Sequence, residues 1–457
     1  MIVTWLAGRK DRGISMTKNL TEGNPAKLIF LFTIPLLIGN LFQQVYSMAD
    51  TLIVGRTIGV NALAAVGCTG SLSFLIIGFA QGITAGLSII TAQKFGAKSE
   101  AGVRRSVAAS ILLSLAVTVV LTAVSVPLAK PILRWMNTPP EIIEDAYRYI
   151  VVIYGGIAAS MLFNLLSNII RALGDSRTPL LFLIIACILN IILDFVFILA
   201  FSMGVAGAAW ATVIAQTVSG LLCIGYIKKK LPMLHMHKED FRVTKMDIWQ
   251  HMRVGLPMGF QSSIIAIGAI TLQSALNSLG ATAVASYTAA QKIDMLATQP
   301  MMSFGVTMAT YAAQNYGAQK IDRIKKGVLQ CVIMSVSFSV VVGVLIILAG
   351  RFLVGLFVGA GQGEVVSLAQ VYLKINGTTY FLLALLFIFR YTLQGLGQSL
   401  IPTIAGIMEL FMRMFAAIIM AGWLGFAGAC MANPLAWLGA CIPLSIACIV
   451  TLKKLTW

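Results

Sequence analysis

Apolar runs of about 20 residues succeed one another along nearly the whole chain, each long enough to cross a hydrocarbon core of about 30 Å. Nothing else in the sequence limits its fold so tightly. Twelve runs are read, at residues 28–53, 62–93, 105–130, 144–172, 178–202, 206–228, 248–275, 281–315, 325–350, 366–393, 401–422 and 427–451. Several exceed the bilayer thickness, which implies tilt or extension past the membrane. The expected fold class is an all-α polytopic membrane protein with twelve transmembrane helices. Composition agrees, with 58% hydrophobic and 11% charged residues among 457. A soluble domain carries roughly 45–50% and about 25%, so a water-soluble fold of this chain would lack the residues to cover its surface.

The formal charge of +17 invites a nucleic-acid reading, but position argues against it. Basic residues cluster in short segments between the apolar runs, where they fix orientation. With both termini in the cytoplasm, the inner segments hold Lys94, Lys98, Arg104 and Arg105, then Arg171 and Arg177, then the basic residues of 228–245, then Lys320, Arg323, Lys325 and Lys326. The outer segments are sparsely basic, and that asymmetry sets the expected topology. The expected partner is the lipid bilayer and not nucleic acid.

The stretch 228–250 is the one long polar segment. It reads as a solvated basic linker at an anionic membrane surface. A histidine metal site or pH sensor is the alternative, because His235, His237 and, just beyond, His251 gather there. The expected domains are an N-terminal extension at 1–25, an N-terminal lobe of helices 1–6 at 26–228, a cytoplasmic linker at 229–247 and a C-terminal lobe of helices 7–12 at 248–457. The first run has no small-residue cleavage site, so no cleavable signal is read. Met16 offers a second start, and Met1–Ser15 reads as an extension. The seven cysteines, Cys68, Cys187, Cys223, Cys331, Cys430, Cys441 and Cys448, lie scattered inside apolar runs, without a disulfide framework.

The halves resemble each other at a shift of about 221–223 residues. Gln93-Lys-Phe-Gly96-Ala97 falls on Gln314-Asn-Tyr-Gly317-Ala318, and Gly59-Val-Asn-Ala62 on Gly280-Ala-Thr-Ala283. Leu173-Gly174, Ser176 and Pro179 fall on Leu396-Gly397, Ser399 and Pro402, and Gly204-Val-Ala-Gly207-Ala208 on Gly425-Phe-Ala-Gly428-Ala429. With six spans per half, a pseudo-two-fold axis along the membrane normal is expected. A substrate site between the halves would be reached from each side in turn.

An ionisable group at mid-depth costs about 2.5–3.5 kcal/mol on insertion scales, so each needs a reason. Gln43, Tyr46 and Asp50 share one face of the first helix, Asn190 and Asp194 share one face of the fifth, and Thr212 lies one turn into the sixth. No Lys or Arg sits at matching depth on these helices. The carboxylates are then protonated or hold a cation, and two acids, an amide and hydroxyls suit a proton or sodium. Asp50, near the outer end of its run, also admits a snorkelling reading.

In the second half, Glu409 and Arg413 are one turn apart and read as a self-neutralising pair. Asp294 reads as a substrate counter-ion or as a partner of Lys292 or of another helix. Gln43, Gln291, Asp294, Glu409 and Arg413 are the candidates for lining a substrate cleft. Gly82-x-x-x-Gly86 signals close helix packing, and Pro35 and Pro300 allow kinks. No phosphate-binding loop, Ser-His-Asp set or H-E-x-x-H motif occurs, so neither an ATP engine nor catalysis is read. No catalytic residue and no cofactor beyond a coupling cation is expected.

In combination, Gly-Asn-Pro near the start, I-P-L at 34–36, M-A-D-T-L-I-V-G at 48–55, the Gln-x-x-Gly-Ala repeat, R-A-L-G-D-S-R-T-P at 171–179, N-I-I-L-D and G-V-A-G-A-A-W-A-T resemble the multidrug and toxic compound extrusion (MATE) family. The likeness is greatest to its bacterial DinF and MepA-like branch and runs from about residue 20 to the C-terminus. It implies twelve helices in two lobes around a central cleft, and cation-coupled export of cationic amphipathic drugs or toxins. It places the coupling-ion site at Tyr46, Asp50, Asn190, Asp194 and Thr212. Pro35 matches the proline at which the first helix is proposed to bend when the aspartate is protonated. The NorM-like branch carries a glutamate in the seventh span, whereas Gly255–Ala275 contains no acid.

The expectation is therefore a monomeric proton- or sodium-driven antiporter of the bacterial plasma membrane. A lipid-linked precursor flippase is the alternative. It would need a cationic cleft, and mid-membrane Arg and Lys are scarce. A membrane receptor or enzyme would lack both catalytic residues and appended domains.

Overall fold

A computed structural model describes residues 19–136, 138–358 and 362–455 of the chain. Met1–Ser15 lies outside them. The described residues form twelve helical rods in succession: α1 Pro25–Thr57, α2 Val60–Gly96, α3 Glu100–Trp135, α4 Pro140–Gly155 with Ile157–Ala172, α5 Arg177–Phe195 with Val196–Ala200, α6 Val205–Lys230, α7 Lys245–Ser278, α8 Ala281–Gly317, α9 Ile321–Val358, α10 Gly363–Gly377 with Tyr380–Gly395, α11 Leu400–Phe415 continuing to Leu424, and α12 Phe426–Cys430 with Ala432–Lys454. No strand occurs among the described residues. In hydrocarbon every backbone donor and acceptor needs an internal partner, and helices supply it.

Nine of the rods are long and apolar enough to cross a membrane as single spans, and α4 and α10 join them as pairs bent by 46° and 48°. The exception is α8. It is 37 residues long, but Lys292, Asp294 and a series of Ser, Thr, Gln and Asn residues lower its hydropathy. Its polar side chains Ser286, Asp294, Ser303, Thr307, Gln314 and Asn315 are all buried. A helix whose polar face turns into protein does not need to be apolar all round.

The repeat is visible in the backbone. Gly59 and Gly280 both take positive φ (126° and 98°) before α2 and α8, and Gly204 and Gly425 do so (61° and 59°) after α5 and α11. A side chain would be strained at these corners. The same register puts Lys98 and Gln319 in the left-handed region at the ends of α2 and α8. A five-residue π-helical turn follows both α5, at Val196–Ala200, and the main part of α11, at Ala416–Met420.

Two compact units are distinguished, one of residues 34–259 and one of residues 21–33 and 260–457. In the first, α2 crosses the early turns of α7 on bare backbone. A Cβ at Gly82 or Gly86 would fall closer than 3.0 Å to backbone atoms of Met258 or Gly255. The Gly-x-x-x-Gly spacing is thus used for close approach. In the second unit the equivalent residue of α8, Thr307, bonds Thr33 of α1 hydroxyl to hydroxyl at 2.8 Å. Helix α1 runs through Pro35 without interruption.

The polar stretch after α6 keeps its basic side chains exposed and is anchored to the bundle by a few apolar ones. Two short 3₁₀ turns, Pro232–Leu234 and Lys238–Phe241, pack against α3. Leu231 and Leu234 are buried with Val103 and Val107, and Arg104 lies 3.4 Å from Asp240. The three histidines do not converge. His235 Nε2 meets the Lys228 carbonyl, whereas His251 is buried, with Nε2 2.8 Å from Ser106 Oγ and Nδ1 2.7 Å from the Asp247 carbonyl. Among the described residues no three His, Cys, Asp or Glu side chains gather to hold a metal, and the seven cysteines are free.

Candidate functional site

In the first unit, α1, α5 and α6 bring their polar faces together. Thr212 is the hub. Its hydroxyl donates to the Ala208 carbonyl at 3.1 Å, one turn back on α6. Asn190 Nδ2 of α5 donates to Thr212 Oγ1 at 3.2 Å, and the Tyr46 hydroxyl of α1 meets it at 3.2 Å. A hydroxyl offers one proton and two lone pairs. With its proton on Ala208, Thr212 accepts from both Asn190 and Tyr46. In this arrangement it keeps no lone pair for a cation.

Asp50 and Asp194 lie beside this hub and are buried, at 8% and 0% exposure. Their carboxyl groups meet each other. Such a contact is a hydrogen bond only if the pair shares a proton, since adjacent buried carboxylates cannot both ionise without a counter-charge. Asp50 Oδ1 is buried and has no hydrogen-bond partner. Burial rules out snorkelling, because α1 continues for seven residues past Asp50 to Thr57.

One turn beyond the acids, Val54, Ile198, Val205 and Ala208 form an apolar plug with Ala62. It keeps water from that end of the cluster and so keeps the local dielectric low. The π-helical turn begins two residues after Asp194, and such turns are frequent at functional sites.

Sequence reasoning missed Tyr149 of α4, which packs against this plug and lies close to Asp50, Tyr46 and Asp194. A signal was available, because Tyr149 falls on Tyr372 at the 223-residue shift. Gln43, on the same face of α1 as Tyr46 and Asp50, is exposed and is not brought into the cluster.

The second unit is built differently. Asp294 of α8 is buried, and Tyr380 of α10 donates to its Oδ1 at 2.7 Å. Its partner is thus on another helix, and Lys292 is exposed, as is Gln291. Tyr372, whose ring meets Tyr287 edge-on at 5.0 Å, accepts from Asn433 Nδ2 at 3.2 Å. Glu409 and Arg413 do associate, at 3.6 Å between Oε2 and Nη2. The shorter contact of Glu409, however, is to Arg390 of α10 through Oε1. Both Arg390 and Glu409 have only 4% of the side chain exposed. Arg390 was not singled out from the sequence, although it is a charge within the tenth apolar run. Cationic side chains are therefore less scarce in this bundle than the hydropathy pattern implies.

A family model described as MatE matches residues 35–196 and 257–423, together more than two thirds of the chain. The chain is 28% identical over 413 residues to the probable multidrug resistance protein YpnP of Bacillus subtilis (strain 168), spanning 89% of this chain and 91% of that protein. It is 24% identical over 384 residues to the multidrug export protein MepA of Staphylococcus aureus (strain MSSA476), spanning 84% of each. A crystal structure of MATE in complex with MaL6 matches 97% of this chain and 99% of its own, with TM-score 0.90 at 25% identity. An outward-facing multidrug resistance MATE family transporter of the MOP superfamily matches 98% and 100%, also with TM-score 0.90, at 24% identity, which bears on the fold alone.

Proposed function

Because this chain belongs to the MATE family, and is a multi-pass membrane transporter akin to multidrug efflux proteins rather than to enzymes, we propose that it exports cationic amphipathic compounds from a bacterial cell by alternating access, in exchange for protons or sodium. In this reading it acts as a monomer in the plasma membrane, with both termini in the cytoplasm. The observation that carries the proposal is the meeting of Asp50 and Asp194 in a buried, plugged cluster, with Asp50 Oδ1 unpartnered. Two buried acids held against each other suit a positive charge that comes and goes.

Asp50 and Asp194 hold the exchangeable proton between them. Tyr46 and Asn190, both donating to Thr212, fix the α1–α5–α6 junction while the pair holds that proton. Ionisation of the pair sets two like charges against each other in a dry site and favours separation of α1 from α5. Pro35, about four turns before Asp50 on α1, lacks a backbone N–H and is the weakest link along which α1 can bend. Asp50, Asn190, Asp194 and Thr212 are also the residues that would hold sodium, which would supply the positive charge that two ionised carboxylates require. For that, Thr212 must lose one of its two donors. Inward movement of one charge gains about 2.3 kcal/mol per 100 mV, enough to drive export against a gradient.

The deciding experiment is ethidium efflux from proteoliposomes under an imposed proton gradient and then a sodium gradient. Asp194→Asn is expected to abolish ion-driven efflux while the protein stays folded. Normal ion-driven efflux by that variant defeats the assignment.

A further inference from the structure

In the second unit two guanidinium groups share one carboxylate. Arg390 holds Glu409 Oε1, and Arg413 reaches Oε2 at 3.6 Å, longer than a well-formed hydrogen bond. Arg413 Nη1 is buried and has no acceptor, and the residue as a whole is 9% exposed. The other acid of this bundle, Asp294, is engaged by Tyr380. Arg413 is thus a buried cation only half answered, and burial of a charged donor without its acceptor is costly.

Two further features bear on what would answer it. Gly268 of α7 packs against this side chain, and no Cβ crowds it. A Cβ there would come within 3.4 Å of Nη1 and 3.2 Å of Cδ. Arg413 also occupies the repeat position held in the first half by Asn190, at the 223-residue shift. The position that carries an amide beside the paired acids in one half carries a guanidinium in the other.

A guanidinium fork matches the planar oxygens of a carboxylate, or two oxygens of a phosphate, better than any other partner. We propose that Arg413 is a binding residue for an oxyanion group, carboxylate or phosphate, on the transported molecule, and that Gly268 leaves the room the guanidinium needs to turn toward this group. The inference rests on the export reading above and narrows it to amphipathic substrates that carry an acid as well as a cation. Arg390 and Glu409 stay paired one to one when Arg413 turns to its ligand, so that pair remains neutral.

The test uses the full chain in phosphatidylcholine nanodiscs, with norfloxacin (a carboxylate and an amine), norfloxacin methyl ester (the amine alone) and ethidium as probes. The wild type is expected to prefer the acid over the ester by about tenfold, the worth of one charge-assisted hydrogen bond. Arg413→Gln and Gly268→Val should each erase the preference, with ethidium binding on the same samples reporting that the variants are folded. Phosphatidylglycerol in the disc distinguishes the source of the oxyanion. If it displaces norfloxacin from the wild type, the seat also takes a lipid phosphate; if it does not, the seat is selective for the drug's acid.

Equal binding of acid and ester by the wild type overturns the proposal, whatever the variants do. A tenfold preference that survives in a folded Arg413→Gln or Gly268→Val protein overturns it too. Failure of ethidium efflux under both gradients would remove the antiport reading but leave the acid-to-ester ratio standing, so the two claims fail separately.

Discussion

The two bundles share backbone devices and differ in their charges. Each has a positive-φ glycine at the same two corners, a bent pair of helices and a π-helical turn just after its buried polar cluster. In the first, the buried acids Asp50 and Asp194 meet each other. In the second, each acid has a fixed donor: Tyr380 for Asp294, and Arg390 with Arg413 for Glu409. Duplication conserves what the chain must do geometrically, while chemistry at equivalent positions diverges. A bundle whose acids are held by fixed donors is a scaffold or a ligand seat. One whose acids face each other can take up and release a cation.

The largest effect separates these roles. Asp50→Asn is expected to reduce ion-driven ethidium efflux to background, whereas Asp294→Asn should leave gradient-driven efflux measurable. If both variants lose transport equally in proteoliposomes, the contrast between the bundles collapses. Next comes stability. Glu409→Ala would leave two buried guanidiniums facing each other and should cost about 3–5 kcal/mol, read as a marked drop in thermal midpoint in detergent. Asp50→Asn removes a potential charge and should not lower the midpoint. A Glu409→Ala protein as stable as wild type would mean that the arginines are paired otherwise.

Helix crossing offers a smaller effect. Gly86→Leu drives a side chain into the backbone of α7 at Gly255 and should cost about 1–3 kcal/mol. Thr307→Val, at the equivalent place in the second unit, removes one hydroxyl contact and should cost about 1 kcal/mol. Reversal of that order in unfolding midpoints would show that the crossings are not built as described. The smallest effect concerns the coupling ion. Tyr46→Phe deletes one of the two donors on Thr212 and frees a lone pair, so sodium should bind a few-fold tighter, by the roughly 0.5–1.5 kcal/mol of one hydrogen bond. Unchanged or weaker sodium binding by isothermal titration would assign Tyr46 itself to the ion.

Much of this was legible beforehand. The apolar runs at 28–53, 62–93 and onward, with the 221–223 repeat, determined twelve helices in two related halves, because membrane thickness and helical rise translate directly into run length. Helical spacing also determined that Tyr46 and Asp50, and Asn190 and Asp194, share faces. Periodicity is local, however, and it does not say which faces meet. That Arg390 of α10 takes the better half of Glu409, that Asp294 finds Tyr380 rather than Lys292, and that Tyr149 joins the first cluster all depend on contacts between residues far apart in the chain.

The linker between the halves keeps its basic side chains exposed, but it is anchored by Leu231 and Leu234, whose burial beside α3 no local pattern announces. Run length and composition settled the helices and their repeat, because insertion into lipid is a matter of composition. Which charge answers which was settled by packing, because pairing in a low-dielectric interior turns on distances of a few ångströms that no spacing along one helix can fix.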